Sequence, residues 1–238
     1  MTNETLTRSF IDLRAWAAGA TVTMGEGDPF LAARAQLPLA PGPITAGLIA
    51  LPEGAGVVGA MPADEFVIVE SGVVRIVQGD TDIAMAEGDS IVLRGGAAFA
   101  WTADAASRLL FMRRTGGPAG DGAIIPVDAD APLVPSGAPL AELLVGPTPQ
   151  CRNNSDWKSE DGEFMAGTWD STPYHRRAMR YVHFELMYLL DGSVTFIDEA
   201  GAERTFHKGD IFLVEQGASC SWDSRVHVKK IYCIYRPA

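Results

Sequence analysis

The chain repeats itself at an offset of half its length. Residues 46–72 lie over residues 166–192 without a gap, matching Ala46-Gly47 to Ala166-Gly167, Glu65 to Glu185 and Gly72 to Gly192. One extra residue then enters the second copy, after which Gly88-Asp89 pairs with Gly209-Asp210, Gly96 with Gly217 and Trp101 with Trp222. Landmarks that recur in one order with a single slip describe two copies of one structural unit.

The unit is built from strands. EFVIVESGVVRIVQGDTDIAMAEGDSIVLRGG and ELMYLLDGSVTFIDEAGAERTFHKGDIFLVEQG both consist of short β-rich apolar runs broken by Gly-Asp, Gly-Ser and Glu-Gly turn signals. The middle of each copy reads as a hairpin, with its loop at Gly79-Asp80 in the first and Glu199-Ala200-Gly201 in the second. The extra residue belongs in that loop, where it disturbs no strand pairing. The expected class is all-β, two tandem antiparallel barrels related by internal duplication. The expected boundaries are 1–115 for the first barrel with its N-terminal arm, 116–138 for a linker and 139–238 for the second barrel. The linker assignment rests on TGGPAGDGAIIPVDADAPLVPSGAP, rich in Gly, Pro, Ala and Asp, with an apolar island at Ile124-Ile125 that could lay one strand across a neighbouring domain.

Composition excludes several classes. With 47% hydrophobic residues in 238, each half can bury a core. The first 120 residues carry 13 acidic and 8 basic side chains and the remainder 17 and 11, so both halves are acidic and would repel a nucleic-acid backbone. The apolar runs are strand-sized, short of the roughly 20 residues of a membrane helix, and MTNETLTRSF lacks the apolar core of a signal peptide. Cys151, Cys220 and Cys233 form no paired framework, which fits reduced thiols in the cytoplasm. Nucleophile-elbow, phosphate-loop and dinucleotide-loop motifs are absent.

Glu followed seven residues later by Gly, then Gly-Asp and a further turn Gly, resembles the two motifs of the cupin superfamily, a jelly-roll barrel of about this unit size. Here they run Glu65 to Gly72 with Gly88 to Gly96, and Glu185 to Gly192 with Gly209 to Gly217. The chain is thus similar to a bicupin along nearly its whole length. DEFVIVESG and GDIFLVEQGASCSW, each copy with Trp five residues after the turn Gly, are most similar to the subgroup of ethanolamine-utilisation cupins and ureidoglycine aminohydrolase-like proteins.

The resemblance implies a metal site of two His spaced His-x-His, the Glu, and a His three residues after the turn Gly. In this chain those positions are Gly59, Met61, Glu65 and Phe99 in the first copy and Met179, Tyr181, Glu185 and Cys220 in the second. That is a poor donor set for a hard divalent ion, so no resident cofactor is expected. A shifted set of His183, Glu185, Cys220 and His227 is the alternative by which the second barrel would hold a divalent metal. The first copy carries apolar residues where the second has His, Tyr and Arg, so any site belongs in the second barrel, with the first filled for structure.

The expected substrate-binding residues are Glu185, His183, Tyr181, Arg177, Cys220 and Trp222; no catalytic residue is assigned. The cluster His175-Arg176-Arg177 with Arg180 reads either as solvated surface or as the source of one inward guanidinium that anchors a carboxylate or amide. Glu185 inside a barrel would have its pKa raised by desolvation unless Arg177 or Arg180 pairs with it. Beside Tyr181 and His183 it could then act as general acid or base, or it could simply bond backbone at a strand start. The functional expectation is a bicupin of undefined activity that binds a small polar metabolite in the second barrel. The alternative is a metal-dependent hydrolase or lyase of a ureide-type carboxylate. A homodimer is a further expectation, with the arm RSFIDLRAWA covering a sheet edge of its own chain or a partner's.

Overall fold

The computed structural model describes residues 8–238. The opening residues read above as lacking a leader lie mostly outside that range. The chain divides into two compact units: Leu13–Val127 with Ser159–Asp161, and residues 128–158 and 162–238 with the arm that ends at Asp12. Each unit is a seven-stranded sheet and a four-stranded sheet, with all pairings antiparallel. Among the described residues no helix is long and apolar enough to cross a membrane.

In the first unit the large sheet runs in the order Ile124–Val127, Ser90–Leu93, Asp64–Ser71, Ser107–Arg114, Ile44–Leu51, Ala33–Gln36 and Thr23–Met24. The small sheet is Gly54–Val58, Phe99–Ala103, Val74–Gln78 and Thr81–Met85. The second unit repeats this plan, with Ile11–Asp12, Ile211–Val214, Phe184–Asp191, Val228–Tyr235, Phe164–Ser171, Cys151–Lys158 and Val134–Ser136 in its large sheet. Tyr174–Arg180, Ser219–Ser224, Ser193–Ile197 and Glu203–His207 form its small one.

The repeated landmarks make repeated bonds. Gly88 N–H donates to Val69 O at 3.0 Å and Gly209 N–H to Leu189 O at 2.8 Å. The Asp89 carboxylate accepts from Ala86 N and that of Asp210 from His207 N, closing the same turn. Gly96 N–H donates to Met61 O and Gly217 N–H to Tyr181 O. Gly72 and Gly192 sit at φ +88° and +79°, and a Cβ on Gly192 would lie 2.1 Å from His227 O, so neither the backbone nor the space admits a side chain. The hairpin loop widens from the two residues between Gln78 and Thr81 in the first copy to the three between Asp198 and Ala202 in the second, where Asp198 N–H donates to Ala202 O, which places the extra residue in the loop.

In each large sheet the strand after the Gly-Asp turn is paired on its outer side by chain from outside the repeat. Ile124–Val127, within the segment expected as linker, pairs with Ser90–Leu93. Ile11 and Asp12 pair with Leu213 and Phe212, so this part of the arm extends the second unit's sheet rather than the first's, and Phe10 packs on Phe196 and Phe206 at 6.0 and 6.3 Å. Helix Leu13–Ala18, in contrast, buries Leu13 and Ala17 in the first unit.

The first barrel is filled. Ile49, Leu51, Val67, Val69 and Phe111 of its large sheet meet Val58, Val74, Ile76, Phe99 and Trp101 of its small one, with Met61 and Phe30 between them. Phe30 is delivered by the short helix Pro29–Ala32, whose N-cap Asp28 accepts from Phe30 N at 2.8 Å and from Trp101 Nε1 at 2.8 Å. Glu65, fully buried, accepts from Arg34 at 2.8 and 2.9 Å and from Arg113 at 2.6 Å, and Arg34 lies 4.5 Å from the Phe111 ring. Glu65→Ala would strand Arg34 in the interior and is expected to cost about 3–5 kcal/mol in urea unfolding. A loss under about 1 kcal/mol would show that this trio does not hold the barrel together.

Candidate ligand cavity in the second barrel

A β-bulge determines what faces the inside of the second barrel. Along Tyr174–Arg180 the register passes from Arg176↔Trp222 to Met179↔Cys220, three residues against two. Beyond the bulge Met179, Tyr181, His183 and Glu185 share one side of the chain, whereas before it the inward positions are Tyr174 and Arg176. Arg176 is 4% exposed, and Arg177 points to solvent.

These side chains open onto a cavity of about 440 Å³, within the range of small-molecule sites. The ends of two further strands, Cys151–Lys158 and Val228–Tyr235, add Cys151, Lys230 and Tyr232, and Ser136 to Pro139 pass along the wall. Tyr174 and Trp222 stack at 5.6 Å, and Trp169 meets Trp222 edge-on at 5.9 Å. The remaining core of this barrel, Leu189, Phe196, Phe206 and Phe212 among others, is closed and apolar.

The charges are arranged in two groups. Lys230 Nζ donates to Glu185 Oε1 at 2.7 Å and lies 4.8 and 5.0 Å from the Trp169 and Trp222 rings, so carboxylate and π-faces together replace its hydration. His183 Nε2 faces Glu185 Oε2 at 3.2 Å. Burial alone would raise the Glu185 carboxyl, but the Lys230 ammonium and the His183 hydrogen bond outweigh it and hold the group well below the usual carboxylate range. The second group is Arg176. It donates to Tyr181 Oη at 3.2 Å and to the carbonyls of Cys220 and Arg177 at 3.3 and 3.1 Å, and no carboxylate among the described residues pairs with it.

The sequence matches the EutQ-like cupin domain model over residues 42–108 and again over 158–232, more than half of the chain. The chain belongs to the EutQ-like cupin domain family. Among solved structures it is similar to a DUF861-family protein of unknown function from Pseudomonas syringae pv. tomato str. DC3000. The two share 31% identity over 91% of this chain and 93% of that one, with a TM-score of 0.82. Likeness to protein Ylba of E. coli (14% identity, 100% and 96% covered, TM-score 0.57) shows the fold alone. So does likeness to a putative dioxygenase of Nostoc punctiforme (14%, 95% and 82%, 0.59). A search of curated proteins found no match.

The metal that a cupin barrel implies does not fit the residues of this bicupin. Both Glu185 oxygens are engaged by Lys230 and His183. Cys220 lies in the core rather than on the cavity wall, its thiol pushed up to about 12 by desolvation. His227 faces Asp170 at 3.0 Å instead of joining His183. Among the described residues no group of three His, Cys, Asp or Glu is placed to hold an ion.

Of the residues singled out in the sequence, Glu185, His183, Tyr181 and Trp222 come together on the cavity wall, while Arg177 and Cys220 do not line it. The partner of Glu185 is neither Arg177 nor Arg180, and its pKa is lowered, not raised. Lys230 escaped notice although the alternation of Val228, Lys230, Tyr232 and Ile234 along one strand could have placed it inside.

Because Glu185 ionises more readily folded than unfolded, its stabilising contribution is complete above the ordinary value of 4.5 and is lost as pH falls below it. Glu185→Gln is therefore expected to lower Tm most near neutral pH, with the gap to the parent protein narrowing at about pH 3. A gap that stays constant across this range would show that the carboxylate is not held ionised.

Proposed function

We infer that this bicupin binds a small organic carboxylate in its second barrel, the first serving as a filled structural partner. The observation that carries this reading is Arg176. A guanidinium has five N–H donors, and three hydrogen bonds to neutral oxygens do not balance its charge. At 4% exposure on a cavity wall, such a cation favours an anion that can take its remaining donors, and a carboxylate matches its planar fork. The stacked Tyr174 and Trp222, with Met165 and Met179, offer apolar surface for the body of such a molecule. The metal-dependent reading, hydrolysis or lysis of a ureide-type carboxylate, gains no support from this donor set.

Small carboxylates are expected to raise Tm in a thermal-shift panel. Arg176→Met should weaken their binding by about ten- to a hundredfold, the equivalent of one or two charge-assisted hydrogen bonds, while Arg177→Met leaves it unchanged. Equal affinities in the Arg176→Met and parent proteins would overturn the assignment.

A further inference from the structure

We propose that the ligand of the second barrel is a small hydroxycarboxylate, its carboxylate on Arg176 and its hydroxyl donating to Nδ1 of His183. The proposal rests on the carboxylate reading above and names the second polar group that the molecule must carry.

His183 is 6% exposed and lines the cavity. Glu185 Oε2 stands 3.2 Å from its Nε2, with Lys230 on the other carboxylate oxygen. Lys230 already matches the Glu185 charge, so the ring beside it is taken as neutral imidazole; the carboxylate only accepts, which puts the one ring proton on Nε2 and leaves a lone pair on Nδ1. That Nδ1 is buried and has no hydrogen-bond partner. A buried acceptor without a donor is costly, and a ligand that brings one recovers the difference. Arg176 and His183 flank one side chain. Arg176 Nη2 donates to Tyr181 Oη at 3.2 Å, and the Tyr181 and His183 rings lie 5.1 Å apart. A molecule that spans the two therefore needs its donor close to its carboxylate.

Charge selects a hydroxyl over an amine. Arg176 and Lys230 bring two positive charges to the buried wall and Glu185 one negative, so the enclosed excess is one positive charge, and Arg236 adds another cation to the lining. A monoanion with a neutral donor relieves that excess. An amino acid would carry an ammonium back into it, and a second buried cation without a counter-charge is disfavoured.

Isothermal titration of the full chain with matched pairs tests this: lactate against propanoate and alanine, mandelate against phenylacetate and phenylglycine. The hydroxy acid of at least one set is expected to bind about tenfold or more tightly than both analogues, and His183→Phe should reduce that preference to under about twofold. The comparison in the unsubstituted protein needs no variant, so a misfolded His183→Phe leaves it decisive. If deoxy, amino and hydroxy acids bind alike and all depend on Arg176, this inference falls and the carboxylate reading stands. If none of these carboxylates binds, both fall.

Discussion

Everything distinctive about this bicupin depends on how a buried carboxylate at one repeated position is neutralised. Glu65 and Glu185 occupy equivalent places in the two copies, and an isolated carboxylate there would be expelled or protonated. In both barrels the compensating cation comes in part from the last long strand, but from different positions along it: Arg113 on Ser107–Arg114, Lys230 on Val228–Tyr235. In the first barrel a second guanidinium, Arg34, completes the set from a strand that precedes the repeat.

The two choices accompany different interiors. Two arginines spread over Glu65 and Phe111, with Phe30 inserted beside Phe99, leave an interior occupied by side chains. A lysine is a compact charge on a slender stem. Held between Trp169 and Trp222, Lys230 satisfies one oxygen of Glu185 and leaves the other to His183, and space remains in front of them. The ammonium gives Glu185 the counter-charge that a metal ion would give a carboxylate at this place in a cupin barrel. The polar groups on the wall outside this pair include the Arg176 guanidinium and the His183 imidazole, which suit recognition of an anion by hydrogen bonds.

Much of this was legible because it is local or periodic. The duplication, the hairpin carrying the insertion, the turns at Gly88-Asp89 and Gly209-Asp210 and the assignment of polarity to the second barrel all follow from residue order, and Glu185, His183, Tyr181 and Trp222 do meet. The choice of Arg177 over Arg176 failed for a geometric reason. Counting by two from Glu185 is valid through Tyr181 and Met179, and the bulge before Met179 then reverses the parity. Nothing in the string His175-Arg176-Arg177 announces that reversal. Cys220 alternates with Trp222 along Ser219–Ser224, but its place is in the apolar core, 4.0 Å from Ser9 O of the arm, away from the cavity wall.

By itself, then, the sequence determined the two-barrel plan, the register of its repeats and the barrel in which Tyr181, His183 and Trp222 gather beside Glu185, because turns, alternation and glycine conformation are short-range properties. Tertiary structure alone decided which arginine enters the cavity, that Lys230 neutralises Glu185, and which sheet the arm and the connector strand each join. Each of those outcomes depends on charges or surfaces brought together from distant parts of the chain, where desolvation and packing select among partners that residue order leaves equivalent.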